Sequence, residues 1–398
     1  MTQGTSKSPG SPTPILMLVV LWLVGWTLRI HILAAPPLAT RIAESFNLGE
    51  AGEGALTMLP ILAVAFGAIP AAWAIARFGI RASIVCGLLI MTVASIARGQ
   101  VPSAMLLFSV SVIMGFGVAI FQTALPIATR VWTPTHIALG SAVYLNGMMF
   151  GELTGAGLTL PIVLPLAGGD WPTALILWGI PTTLVAVLVW FLRVSESDEE
   201  TGVPNVAQTT SLPRWDDFKV WQYGMLLASS AVAFFVVNAY SGSILQTRGE
   251  YHVAELFHFA YNATPLLASF VILMRPNWIG ARAPIAVSAV ITILGLAGFF
   301  LFDGWLSWLS AMVAGFTATI ELILIVSLPP AIAKGRAVTR LSAGMTLIGF
   351  TVAFLLTLVG GWMADAAGRV ELALLPSIIF MVVALGALGR ASRYPAYS

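Results

Sequence analysis

The chain has 398 residues, of which 58% are hydrophobic and only 9% charged. A soluble domain carries about 25% charged residues, so this composition excludes a water-facing surface of that size and requires lipid as the main solvent. With a net charge of +2 and no basic run interleaved with aromatics, a nucleic-acid partner is excluded, and the lone Cys86 rules out an internal disulfide and a multi-cysteine metal site.

Apolar runs of about 20 residues are needed to cross a hydrocarbon core about 30 Å thick. In chain order, residues 1–13, rich in Ser, Pro and Gly, read as a disordered N-terminal tail. Six spans follow at 14–35, 53–76, 81–98, 102–129, 136–165 and 171–193. The first is too long for a signal-peptide core, and Arg29 and His31 interrupt the region where cleavage would be sought, so it is read as retained. The stretch 194–218, with Ser195-Glu-Ser-Asp-Glu-Glu200 and Pro204, is linker-like. Six more spans are expected at 219–245, 253–275, 283–302, 305–329, 338–363 and 371–390, before a short tail at 391–398. The expected domains are therefore an N-terminal bundle over 14–193 and a C-terminal bundle over 219–390.

Lys7, Arg77, Arg81, Arg130, Arg193, Arg214, Lys219, Arg275, Arg282, Lys334, Arg336, Arg340, Arg390 and Arg393 fall on one side of this layout. Arg41, Arg98, Arg248 and Arg369 fall on the other. The bias predicts cytoplasmic termini and a cytoplasmic linker. The halves also resemble each other. Gly115-Phe116 precedes Gln122 on span four as Gly315-Phe316 precedes Glu321 on span ten, and Leu139-Gly-Ser-Ala142 opens span five as Leu341-Ser-Ala343 opens span eleven. The offset is about 200 residues each time, which predicts parallel six-helix repeats with a solute site near the midplane between them.

Three charged side chains stand well inside the spans: Arg29, Glu152 and Glu321. A charge at the centre of a membrane helix costs at least about 2.5–3.5 kcal/mol, so such residues face a cavity or one another. Arg29 lies about 22 Å along span one, and Glu152 is at a similar count into span five, which enters from the same side. The guanidinium offers a planar fork of donors suited to a carboxylate-like or linear anion. Two other readings stay open: an Arg29–Glu152 pair that holds helices together, and snorkelling to the outer interface. Glu152 and Glu321 are the candidate proton-coupling groups, because desolvation favours a neutral carboxyl; pairing of Glu321 with a cation from another helix is the alternative. Glu152 sits in Gly147-Met-Met-Phe-Gly151-Glu-Leu-Thr-Gly155, two overlapping small-residue steps that allow close helix contact, expected to let span five slide against the other half. His258, Tyr261 and Asn262 share one face of span eight at spacings of three and four, with Asn238 and Tyr240 at similar depth on span seven. Together with Trp26, Gln122 and Asn146 these are the candidate substrate-binding residues, although interfacial placement accounts for the aromatics and histidine as well. No catalytic, metal or cofactor site is expected.

Several short elements carry a family resemblance. Span one reads Trp26-Thr-Leu-Arg29 and then Ala35-Pro-Pro-Leu-Ala39, span two contains Leu56-Thr-Met-Leu-Pro60, span four Ala124-Leu-Pro126, and span eleven opens Arg340-Leu-Ser-Ala343. From Pro14 to Arg390 the chain resembles the cyanate and 2-nitroimidazole transporters of the major facilitator superfamily. Thr27 and Ile30 replace the Asn and Pro usual beside the arginine, and Arg77-Phe-Gly-Ile-Arg81 is a degenerate form of the superfamily's basic loop, with Ala76 in place of its Asp. The resemblance implies an all-α membrane protein of twelve helices, multi-pass in a bacterial inner membrane and not an enzyme. It implies a monomeric, proton-coupled secondary transporter for a small anionic or nitrogen-rich solute, working by alternating access in the lipid bilayer. Efflux of neutral solutes on the same scaffold is the alternative; a solute-sensing receptor is a more distant one, since no soluble output domain is present.

Overall fold

A computed structural model describes residues 14–192, 215–333 and 336–386. The expected tails at 1–13 and 391–398 and nearly all of the linker at 194–218 lie outside the described residues. What is described is almost wholly helical, because in lipid a backbone must satisfy its own hydrogen bonds. The N-half comprises α1 (Pro14–Leu33), α2 (Glu50–Phe78), α3 (Ile80–Arg98), α4 (Ala104–Trp132), α5 (Ile137–Gly157) and α6, which is broken at Trp178 into Trp171–Leu177 and Gly179–Phe191. The C-half comprises α7 (Phe218–Thr247), α8 (Ala254–Met274), α9 (Arg282–Leu301), α10 (Gly304–Val326), α11 (Arg336–Ala367) and α12 (Leu375–Gly386).

Among the described residues, ten helices are long and apolar enough to cross a bilayer. Taken as one span, the bent pair Leu139–Gly157 and Thr159–Leu166 is an eleventh candidate, and Val370–Gly386 is a shorter apolar helix in the twelfth position. The 52° bend after α5 has a local cause. Pro161 has no N–H to donate, and the ladder widens into a π-turn over Thr159–Val163. Sequence reading did not anticipate the short helix Ala39–Phe46 which, with the 3-10 turn Pro36–Leu38, covers the connection between α1 and α2.

The face that carries the start of α1 is termed inner, the side expected to be cytoplasmic. Buried apolar side chains fall into two clusters. One fills the N-half and continues into the outer parts of the C-half helices through Ala231–Leu245, Phe257, Phe299, Ala314 and Ala353. The other is confined to the inner parts of the C-half, around Tyr223, Ile272, Ile285, Leu324 and Met345. The halves therefore share a core at the outer end and pack separately at the inner end. The arrangement is closed at the outer end.

One expectation is corrected here. The glycines of α5 do not face the other half. A Cβ on Gly147 or Gly151 would collide with the backbone carbonyl of Trp22 or Trp26, and one on Gly155 would come within 2.7 Å of the Ile30 carbonyl oxygen. The small residues bring α5 against α1 of the same half, backbone to backbone. Gly25 likewise packs on the Tyr144 carbonyl. The contact with the other half comes just below, where Gly157 meets Phe259 of α8.

Candidate functional site

Trp22, Trp26 and Arg29 recur at helical spacing along one stripe of α1, and the glycine track sets this stripe against α5. Trp22 Nε1 donates to Asn146 Oδ1 at 2.9 Å and Trp26 Nε1 to Thr154 Oγ1 at 2.8 Å. The two indoles stack with centroids 6.2 Å apart. One turn further, Arg29 Nε lies 3.4 Å from Glu152 Oε1, with the two side chains 12% and 13% exposed. Nε makes no aligned hydrogen bond, so the pair is held by charge more than by donor geometry. The terminal guanidinium nitrogens have no hydrogen-bond partner among the described residues. Arg29 is thus a cation in membrane with donors left over.

In the C-half, Asn262 Nδ2 donates to Asn238 Oδ1 at 2.9 Å and to the His258 carbonyl at 3.0 Å. His258 is 1% exposed. Both its ring nitrogens and Asn262 Oδ1 are buried without partners. Asn238, His258 and Asn262 therefore form one polar cluster between α7 and α8. Tyr261 joins it only through the backbone: its hydroxyl donates to the Phe234 carbonyl at 3.1 Å, and its ring stacks on Phe234. Glu321 is 1% exposed on α10. Its Oε1 accepts from Ser229 Oγ of α7 at 2.9 Å, and Oε2 is buried without a partner. It follows Ala318 of one apolar cluster and Ile320 of the other on α10, where the two clusters meet. Gln122 is half-buried on α4, and Asn146 is exposed.

Tyr240 is elsewhere. Its hydroxyl donates to the Thr357 carbonyl at 2.7 Å, and it fills the space over Gly54 and Gly361, where the halves meet. This outer junction holds polar groups that sequence reading passed over. Asp365 of α11 accepts from the backbone N–H groups of Glu50 and Ala51 at 2.7 and 3.1 Å, so a carboxylate from one half caps the N-terminus of α2 in the other, where the helix dipole favours it. Glu53, 4% exposed, accepts from Ser243 of α7 at 2.6 Å. Glu50 and Glu53 lie at the start of a span and Asp365 at the end of one. In a sequence such positions look like ordinary interfacial charges; the Glu50-x-x-Glu53 spacing on one helix face was the one available signal.

The sequence profile of the Major Facilitator Superfamily matches residues 17–322. The chain belongs to that superfamily. Curated relatives of this facilitator include the 2-nitroimidazole transporter of Escherichia coli (strain K12), 26% identical over 330 residues that span 81% of each chain. The cyanate transport protein CynX of the same organism is 25% identical over 374 residues, 89% of this chain and 91% of that one. Among solved structures, the fold is similar to a bacterial homolog of the human lysosomal transporter Spinster, with a TM-score of 0.73, 17% identity and coverage of 95% and 97%. The facilitator is thus a multi-pass membrane transporter of a small-molecule solute, not an enzyme. Its two bundles are those of the fold, joined here at the outer end.

Proposed function

We propose that this facilitator carries a small anionic or nitrogen-rich solute, a cyanate-like anion or a nitroimidazole-like compound, by alternating access, and that protons drive the movement. The observation that carries the reading is Arg29 at 3.4 Å from Glu152, with its remaining donors free. An ion pair with imperfect geometry in a low-dielectric setting is weakly favourable at best, so a solute anion competes with the carboxylate for the guanidinium. Displaced from Arg29, Glu152 is a carboxylate in membrane without a cation, the condition under which it takes a proton. Trp26 forms the apolar wall one turn away. The cluster of Asn238, His258 and Asn262, where both His258 ring nitrogens and Asn262 Oδ1 are unpartnered, suits the polar edge of a nitrogen-rich solute once the outer end opens. Glu321, with one oxygen unpartnered, is the second proton-coupling group. The names of the two E. coli relatives, a 2-nitroimidazole transporter and a cyanate transport protein, support the solute class.

The test is binding to purified protein. Cyanate and 2-nitroimidazole should raise the apparent melting temperature in a saturable manner, as a ligand of the native state does. Arg29→Ala should weaken the cyanate response about tenfold or more without lowering the yield of folded protein. An unchanged cyanate affinity in that variant would remove Arg29 from the site.

A further inference from the structure

The N-half contains a second buried arginine that the transport reading does not use. Arg98, at the outer end of α3, is 1% exposed and the largest fully buried side chain among the described residues. Its Nη1 donates to the His31 carbonyl oxygen at 3.1 Å and lies 3.5 Å from Met114 Sδ. Nε and Nη2 are buried and have no partner. Among the described residues no carboxylate forms an ion pair with Arg98. The titratable group electrostatically linked to it is His31, whose ring Nε2 is tied to Thr182 Oγ1 at 2.7 Å. Arg248, an outer-end arginine of the C-half, makes the contrast. Its Nε lies 3.1 Å from Asp303 and 3.7 Å from Glu371, Nη1 donates to Ser307 at 2.8 Å, and Nη2 to the Phe299 carbonyl at 3.1 Å.

An arginine keeps its charge under all ordinary conditions, and a buried cation without a counter-charge strongly destabilises the fold around it. Nε and Nη2 share one edge of the guanidinium and present two parallel N–H groups. That edge grips both oxygens of a planar oxyanion, or seats a halide between its donors. We propose that Arg98 holds a small monovalent anion, chloride or a planar oxyanion of similar size, between α1, α3 and α4 at the outer end of the N-half. Gln100, two residues on in the turn after α3, is exposed, so the site lies close to the outer surface. The site is separate from Arg29: His31, whose carbonyl anchors Arg98, is two residues on from Arg29, about 200° around α1. It stands whether or not the transported solute is an anion.

Purified full-length protein is melted in gluconate while chloride, nitrate or cyanate replaces it at constant ionic strength. A saturable rise in apparent Tm on the order of a few degrees is expected with chloride and nitrate, kept by Arg29→Ala and lost by Arg98→Gln. No rise in the parent protein overturns the proposal and leaves buried water on that edge. A rise kept by Arg98→Gln and lost by Arg29→Ala also overturns it, and assigns the anion to the transport site. Should Arg98→Gln fail to fold, crystals of the parent protein in bromide decide the matter. An anomalous peak within about 4 Å of the guanidinium supports the site, and its absence at saturating bromide contradicts it.

Discussion

Glu321 combines near-total burial with a single hydrogen bond, from Ser229 at 2.9 Å. A glutamine in its place keeps an oxygen for Ser229 and an equal volume, and removes the proton-carrying capacity. On the proposed reading, Glu321→Gln should lower pH-gradient-driven accumulation about tenfold or more while counterflow, which needs no net proton movement, continues. Equal accumulation in the variant and parent would remove Glu321 from the coupling. The depth match of Arg29 and Glu152 was legible in the sequence, because residue counts along two helices that enter from one side translate directly into height. Arg98 was not. It lies at a span end, where its charge counts as an outer-face arginine, and only packing reveals that α1 and α4 enclose it. Tyr240 was assigned to a pocket by depth alone, and the packing of α11 against α2 draws it to the outer junction.

At the level of the helices, the glycine track of α5 is the firmest feature. The 147/151/155 spacing announced a close contact, but spacing cannot name the partner, and the helix it meets is α1 of the same half. That contact fixes the height of Arg29 relative to Glu152. Gly151→Val places a branched side chain against the Trp26 carbonyl, with its Cβ only 3.3 Å from Arg29 Cβ. Overpacking of this kind costs about 1–3 kcal/mol when side chains can shift, and a backbone carbonyl has less freedom to do so. The apparent Tm should fall by several degrees, and Arg29-dependent cyanate binding should weaken with it. A variant that melts with the parent and binds cyanate equally well would show that the α1–α5 contact does not position the site. The positions of the spans were readable from hydropathy to within a few residues. The π-turn at Thr159–Val163 and the helix Ala39–Phe46 were not, because one depends on where Pro161 falls in the ladder and the other is too short for an apolar-run criterion.

Across the molecule, the two six-helix halves were legible in advance, since the repeat offset and the charge pattern are properties of the chain itself. The conformational state was not. An alternating-access protein must pack the same residues in two ways, and the sequence is common to both. The shared outer core, Asp365 over the start of α2 and Ser243 on Glu53 mark the outer end as closed in this state. The transport reading stands or falls on Arg29 as the solute contact. Uptake of labelled cyanate into proteoliposomes, with an imposed pH gradient and matched amounts of folded parent and Arg29→Ala protein, puts that contact to the test. Saturable uptake by the parent, inhibited by 2-nitroimidazole, and background uptake by the variant are expected. Transport of cyanate by Arg29→Ala at the parent's rate and affinity would contradict the assignment.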